Sequence, residues 1–264
     1  MFRIQDNLDY NMPVHFGGVR LVPGTVATQR ATALVIGYET AREELERYIP
    51  GEFELRIPEV QVMFSTFSRI NWLAGSCYNL INVSSPVRFQ GKKDQIEGDY
   101  TLVTWENKTE PILRGREQTG IPKIYADIED LHEMGSCFHT TASYEGSRFL
   151  TMHFEATSPM AGGERDRIQA ALGSMNTLGW RYIPKINGPG ADLSQFILFP
   201  QRMEVETVLA GTGSLQWYEM TWLEHPTQNH IINSLAALPI RKVTRAILAK
   251  GMVVLDRMAS RAIE

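Results

Sequence analysis

Val60-Gln61-Val62-Met63-Phe64-Ser65 sets Val60, Val62 and Phe64 in alternation with Gln61, Met63 and Ser65. A period of two places successive side chains on opposite faces, so the stretch predicts a strand with one face packed on a core. Leu150, Met152 and Phe154 alternate with Thr151, His153 and Glu155 in the same way. Met203 and Val205 repeat the pattern, and Leu215–Trp222 continues in β-prone residues. Ala31–Tyr38, Tyr78–Val83, Asp99–Trp105 and Cys137–Tyr144 are further strand candidates. Turn chemistry separates them at 91–94, 106–108, 144–147 and 211–214.

Three helices are predicted between the strands. Thr40 and Glu43 have capping-box spacing, and Ala41–Tyr48 follows in helix formers until Pro50. Glu164–Met175 places Ile168, Ala171, Leu172 and Met175 on one face. Val243 and Ile247 stand four apart, which predicts a helix over about Ile240 to Lys250. Met252–Leu255 fits strand or helix. Strands spread along the whole length, with few helices and no linker or repeat, predict one domain over 1–264. Its class is α+β and β-rich: an antiparallel sheet curved into a cone or barrel, with a few peripheral helices.

Composition narrows the function. The chain has 264 residues, 43% hydrophobic and 21% charged, which excludes a disordered protein. A net charge of −4 with no basic tail argues against a nucleic-acid partner. Cys77 and Cys137 are too few for a cysteine zinc site and are expected as free buried thiols. Ala246–Leu255 is interrupted by Lys250 and Gly251, far short of the roughly 20 apolar residues of a span, so no membrane partner is expected. Met1–Asn11 carries Arg3, Asp6 and Asp9 and reads as no export signal, so the expected compartment is the cytoplasm. HExxH, CxxC, P-loop, GxGxxG and GxSxG patterns are all missing, and the six histidines show no ligand spacing. No metal and no cofactor is therefore expected.

Lysine chemistry remains. A lysine amine can attack a ketone, and the resulting cationic imine draws electrons from a neighbouring C–C bond. Attack requires the neutral amine, whereas an ordinary lysine has a pKa of about 10.4. Burial or a nearby cation must lower it, and each unit corresponds to about 1.4 kcal/mol. Of seven lysines, Lys92, Lys93 and Lys108 sit in turns, and Lys242 and Lys250 fall on the predicted last helix. Lys123 and Lys185 share the tetrapeptide Ile-Pro-Lys-Ile. Lys185 runs into the turn Asn187-Gly188-Pro189-Gly190. Lys123 follows Arg114 and Arg116, which raise the local potential, and is the better nucleophile candidate.

Glu110-Pro111-Ile112-Leu113-Arg114-Gly115-Arg116-Glu117-Gln118-Thr119-Gly120-Ile121-Pro122-Lys123 resembles the active-site segment of the acetoacetate decarboxylase superfamily. That pattern is Glu-Pro, a few apolar residues, Gly-Arg-Glu, four residues, then Pro-Lys, with the last lysine forming the Schiff base. Gly98-Asp99-Tyr100, Cys77-Tyr78, Tyr182–Gly188, Gly211–Gln216 and Leu238-Pro239 follow in the family's order, so the resemblance covers nearly the whole chain. It implies a β-cone or barrel with Lys123 pointing into an enclosed apolar cavity, and a homo-oligomer. Acetoacetate decarboxylase itself is a known case of a lysine activated by desolvation or a neighbouring cation.

The departures from the pattern matter. Ile124 stands where decarboxylases carry a second lysine, and Ser65 and Leu80 stand near two glutamate positions. Arg30 lies one residue off the register of the family's substrate arginine. The resemblance thus implies a Schiff-base lyase that joins a small oxo acid such as pyruvate to an aldehyde co-substrate by aldol condensation and dehydration, or runs the reverse. Decarboxylation of acetoacetate or another β-keto acid is the alternative, and a non-catalytic binder of an apolar carbonyl compound is the second. Lys123, Gln118, Tyr78 and Tyr125 are the catalytic candidates. Arg30, Arg116 and Glu117 are the substrate-binding candidates, with Arg116 and Glu117 expected as a buried ion pair.

Overall fold

The computed structural model describes residues 2–20 and 26–264. Ten strands frame the site: β1 Ala27–Glu39, β2 Glu59–Ser68, β3 Tyr78–Gln90, β4 Gln95–Glu106, β5 Lys123–Tyr125, β6 Cys137–Tyr144, β7 Ser147–Pro159, β8 Met175–Pro184, β9 Ala191–Trp217 and β10 Lys242–Leu255. Along the sheet the order is β6, β7, β9, β8, β4, β3, β2, β1, β10. Pairing is antiparallel except where β4 meets β8 and β5.

The sheet is strongly curved because β9 serves three neighbours in succession. Its first third pairs β8, its middle pairs β10 and its last third pairs β7. β10, at the end of the order, therefore returns to β9. β7 and β6 extend away from this ring, so the sheet is not a simple closed barrel.

Period-two alternation sorts the two faces. In β1, Leu34, Ile36 and Tyr38 join the main core, whereas Gln29, Ala31, Ala33 and Val35 line an interior cavity. In β2, Val60, Val62 and Phe64 join that core, whereas Gln61, Met63, Ser65 and Phe67 line the cavity. The core continues through Trp105, Phe149, Leu150, Met152 and Trp217. Each such side chain contributes about 1.5–3 kcal/mol of burial, which pins the register against a one-residue slip.

Among the described residues four α-helices accompany the sheet: α1 Arg42–Glu46, α2 Thr109–Arg114, α3 Gly162–Leu172 and α4 Asn229–Ala236. Thr40 does not cap α1; the N-cap is Ala41, without a side-chain bond, and the Thr40 amide donates to Pro58 O at the end of β1. The helix expected over Ile240 to Lys250 is strand β10. A spacing of four between Val243 and Ile247 satisfies a period of two as well as 3.6, and β-branched residues then favour the strand. Gly211–Ser214 is not a turn but lies inside β9. A Cβ at Gly211 would fall 2.1 Å from Glu155 O, so glycine there permits close passage of β9 over β7. Cys77 and Cys137 are free but exposed, not buried. Among the described residues no helix is long and apolar enough to cross a membrane.

Candidate active site

Glu106 ends β4 and Lys123 begins β5, and the two strands run parallel with Thr104 opposite Lys123. Thr104 and Glu106 are two apart, so both project to the face from which Lys123 emerges. The Lys123 Nζ donates to Glu106 Oε1 at 2.7 Å. The carboxylate side chain is 0% exposed and the amine side chain 16%. Glu106 Oε2 is buried and has no partner among the described residues. Burial pushes the Glu106 carboxyl above the usual carboxylate range, and the charge and hydrogen bond of Lys123 oppose that shift.

The segment between the strands holds the lysine in place. After α2 the chain widens into one π-type turn over Gly115–Thr119, which Gly120 closes at φ +70°. Ile121 N then donates to Gly115 O at 3.0 Å, and Thr104 N donates to Pro122 O at 3.1 Å. Arg116 Nη1 donates to the Lys123 carbonyl at 3.0 Å. A Cβ on Gly115 would lie 2.2 Å from Lys123 Cδ and 2.5 Å from Cε. The side chain of the lysine thus runs across the bare face of this glycine.

Two cavities meet at the amine. An outer vestibule of about 380 Å³ is lined by Arg20, Trp72, Arg114, Gln118, Arg257 and Met258, among others. The interior cavity of about 260 Å³ lies within the curved sheet, with α3 contributing Ile168, Ala171 and Leu172. Lys123, Tyr78, Phe199 and Leu255 line both.

The structure brings together part of the expected set. Tyr78 is buried beside the lysine, and burial followed by the Glu106 charge raises its hydroxyl well above the ordinary tyrosine value. It therefore stays protonated and can donate a hydrogen bond. Gln118 Nε2 donates to Asp9 Oδ2 at 3.0 Å and to Asn11 Oδ1 at 2.9 Å. Its Oε1 remains buried without a partner among the described residues.

Four expected residues lie elsewhere. Tyr125 is 43% exposed, outside both cavities, and its hydroxyl donates to Asp127 Oδ1 at 2.6 Å, because β5 ends there and its ring leaves the sheet. Arg30 projects from the face of β1 opposite the cavity and pairs with Glu206 at the surface. Arg116 is exposed and buttresses the Lys123 backbone, and no Arg116–Glu117 ion pair occurs among the described residues. Glu117 instead borders a separate pocket with Asp9, Tyr10 and Arg181, and its carbonyl accepts from Arg181. Arg114 lies over Trp72 at 5.5 Å, so the group paired with the amine is a carboxylate rather than a second cation.

Glu106 escaped the sequence reading because Glu106-Asn107-Lys108 has turn composition. The usable signal was alternation: Val103 and Trp105 are core residues, which leaves Thr104 and Glu106 on the opposite face.

The family model for acetoacetate decarboxylase (ADC) matches residues 11–258. An acetoacetate decarboxylase from Legionella pneumophila has the same fold at 18% identity, TM-score 0.76, over 99% of this chain and 98% of that one. The enduracididine biosynthesis enzyme MppR complexed with pyruvate aligns at 13% identity, TM-score 0.73, over 98% of this chain and 99% of that one. The same enzyme complexed with the condensation product of pyruvate and imidazole 4-carboxaldehyde aligns with TM-score 0.72, at 13% identity, over 98% of this chain and 97% of that one. No curated protein matches the chain in sequence.

Proposed function

Because this chain belongs to the acetoacetate decarboxylase family, we propose that it is a Schiff-base lyase in which Lys123 attacks the ketone of a small oxo acid. The observation that carries the reading is the Lys123–Glu106 pair at the junction of the two cavities. Glu106 takes a proton from the amine, which frees the nitrogen lone pair. Attack gives a carbinolamine; loss of water gives the imine. The cationic imine nitrogen then accepts the electron pair of a bond at the adjacent carbon. Glu106, held in a dry setting, is placed to move the protons that each step requires.

Aldol condensation with dehydration is the preferred outcome. Ile124 replaces a second lysine, and Ser65 and Leu80 bring no carboxylate to the inner face. A pyruvate complex of a protein sharing the fold supports the same preference. Decarboxylation of a β-keto acid through the same imine is a second reading, favoured by the family itself.

Borohydride reduction with pyruvate or acetoacetate tests the proposal by mass spectrometry. The expected result is one reduced adduct on the native chain and none on Lys123→Ala. An adduct of equal size on both chains, or on neither, removes the imine. Release of CO2 from acetoacetate at enzymatic rates would select decarboxylation over aldol chemistry.

A further inference from the structure

The lysine sits at a junction, not at the bottom of one pocket. On the vestibule side, Arg20, Arg114 and Arg257 contribute guanidinium groups to the wall. On the interior side the wall is mixed: Ala31, Ala33, Leu80, Ile121, Phe199 and Ala249 are apolar, and Gln29, Gln61, Asn82, Gln201, Asp99 and Arg245 are polar or charged. Arg245 enters only from the same strand as Ile247, near Asp99, whose carboxyl feels its charge. Among the described residues, and apart from Lys123, the interior thus carries one arginine, offset by Asp99, against three arginines and no carboxylate in the vestibule, and most of the remaining interior surface is apolar.

The interior space follows from small residues. Ala31, Ala33 and Ala249 occupy inward positions of β1 and β10, where the outward positions hold Leu34, Ile36 and Leu248. Pyruvate alone has six heavy atoms, and three of them form the carboxylate that the vestibule would take. At roughly 30 Å³ for a water-sized group, a cavity of about 260 Å³ holds about eight further heavy atoms. A small oxo acid would leave that space unfilled.

We propose that the carbonyl compound bound by Lys123 is an oxo acid carrying an apolar arm of about six to eight heavy atoms. Its carboxylate faces the guanidinium groups of the vestibule, its carbonyl carbon sits at the Lys123 amine, and its arm fills the interior cavity. This inference rests on the Schiff-base reading and specifies its substrate. The arm has two chemical sources: a preformed chain, as in 2-oxooctanoate, or the condensation of pyruvate with an apolar aldehyde such as benzaldehyde. In the second case the enamine carbon of bound pyruvate attacks the aldehyde carbon. A C–C bond forms and the aldehyde oxygen takes a proton to become a hydroxyl. The attacking carbon then loses a proton, the hydroxyl takes up a proton and leaves as water, and a C=C bond forms. Hydrolysis of the imine releases the unsaturated oxo acid and returns Lys123.

Borohydride trapping across a series tests the assignment. Pyruvate, 2-oxobutyrate, 2-oxohexanoate and 2-oxooctanoate are titrated against the native chain, and pyruvate is also incubated with benzaldehyde before reduction. Each buried methylene is worth up to about four-fold in affinity. The half-saturating concentration is therefore expected to fall at least about ten-fold from pyruvate to 2-oxooctanoate. An adduct with the mass of the condensed product identifies the aldehyde as the source of the arm; its absence with strong 2-oxooctanoate trapping identifies the preformed chain.

Ala33→Phe and the milder Ala33→Leu fill the interior. Both are expected to erase the preference for the longer acids, which is read as the ratio of the two half-saturating concentrations. Trapping of pyruvate with no gain for longer arms overturns this inference and leaves the imine intact. Trapping of neither acid overturns both readings.

Discussion

The Lys123 amine and the Glu106 carboxylate lie 2.7 Å apart on neighbouring parallel strands, and Glu106 has a second oxygen that is buried without a partner among the described residues. A buried carboxylate held in this way resists ionisation unless a cation compensates it, and the Lys123 amine supplies that cation. In the proposed mechanism the pair supplies a nucleophile and its base.

Glu106→Gln keeps the size and a hydrogen-bonding oxygen but removes the base. Trapping and turnover are expected to fall by about 10²–10⁴. The pH dependence gives a second readout. Burial raises the Glu106 carboxyl, so its charged form exists only above the usual carboxylate range. As pH falls through that raised value Glu106 protonates and loses its capacity as a base, which places the acid limb of the rate at unusually high pH. The limb should vanish in Glu106→Gln. A variant that retains both the wild-type rate and its acid limb would remove Glu106 from the mechanism.

Gly115→Ala tests the path of the lysine side chain. The new methyl would meet Lys123 Cδ at 2.2 Å, and a flexible chain rather than backbone must yield. The fold should tolerate the change, with a Tm within about 2–4 °C of wild type, equivalent to roughly 1 kcal/mol. The amine should be displaced from the junction, and a misplacement of about 1 Å costs on the order of 10²-fold in rate. A wild-type rate would mean that the productive lysine conformer avoids Gly115.

How much of this was readable from the sequence differs by residue. Lys123 was singled out because Gly115, Arg116 and Pro122 precede it at fixed spacing in a short local segment, and the structure places it where the two cavities meet. The strands carrying Val60–Ser65 and Leu150–Glu155 were legible because one face is buried and the other is not. β10 was misread because a four-residue spacing is shared by both periods. Glu106 was hidden because its importance comes from a parallel pairing across 17 residues of chain, which no local pattern records. Arg30 failed for a simpler reason: one residue of offset in a strand transfers a side chain to the opposite face.

The two tyrosines considered for proton transfer should separate cleanly. Tyr78 is buried next to Lys123, and its raised pKa keeps its proton available for donation. Tyr78→Phe should slow turnover by about 10² or more if the hydroxyl serves as the acid. Tyr125 bonds Asp127 at the surface, so Tyr125→Phe should leave turnover unchanged within error. Steady-state rates of both variants with one substrate decide the matter, and a reversed order would contradict the geometry.

His225 links the fold's acid sensitivity to the strands that carry the site. Its ring is fully buried, stacks on Tyr144 at 3.9 Å, and has no hydrogen-bond partner on either nitrogen among the described residues. Gln228, one turn further on, accepts from Trp105 Nε1 at 2.8 Å and donates to the Tyr125 carbonyl, so it braces β4 and β5 from behind. Burial lowers the His225 pKa below the ordinary 6.5. The unfolded chain therefore binds a proton near pH 6.5 that the folded chain refuses, and stability falls as pH drops below that value until the folded pKa is reached. Denaturant midpoints at pH 8 and pH 5.5 should show this loss in the native chain. His225→Phe preserves the stack but cannot titrate, so its loss over the same interval should be smaller. Equal losses in both would place the acid sensitivity in other groups.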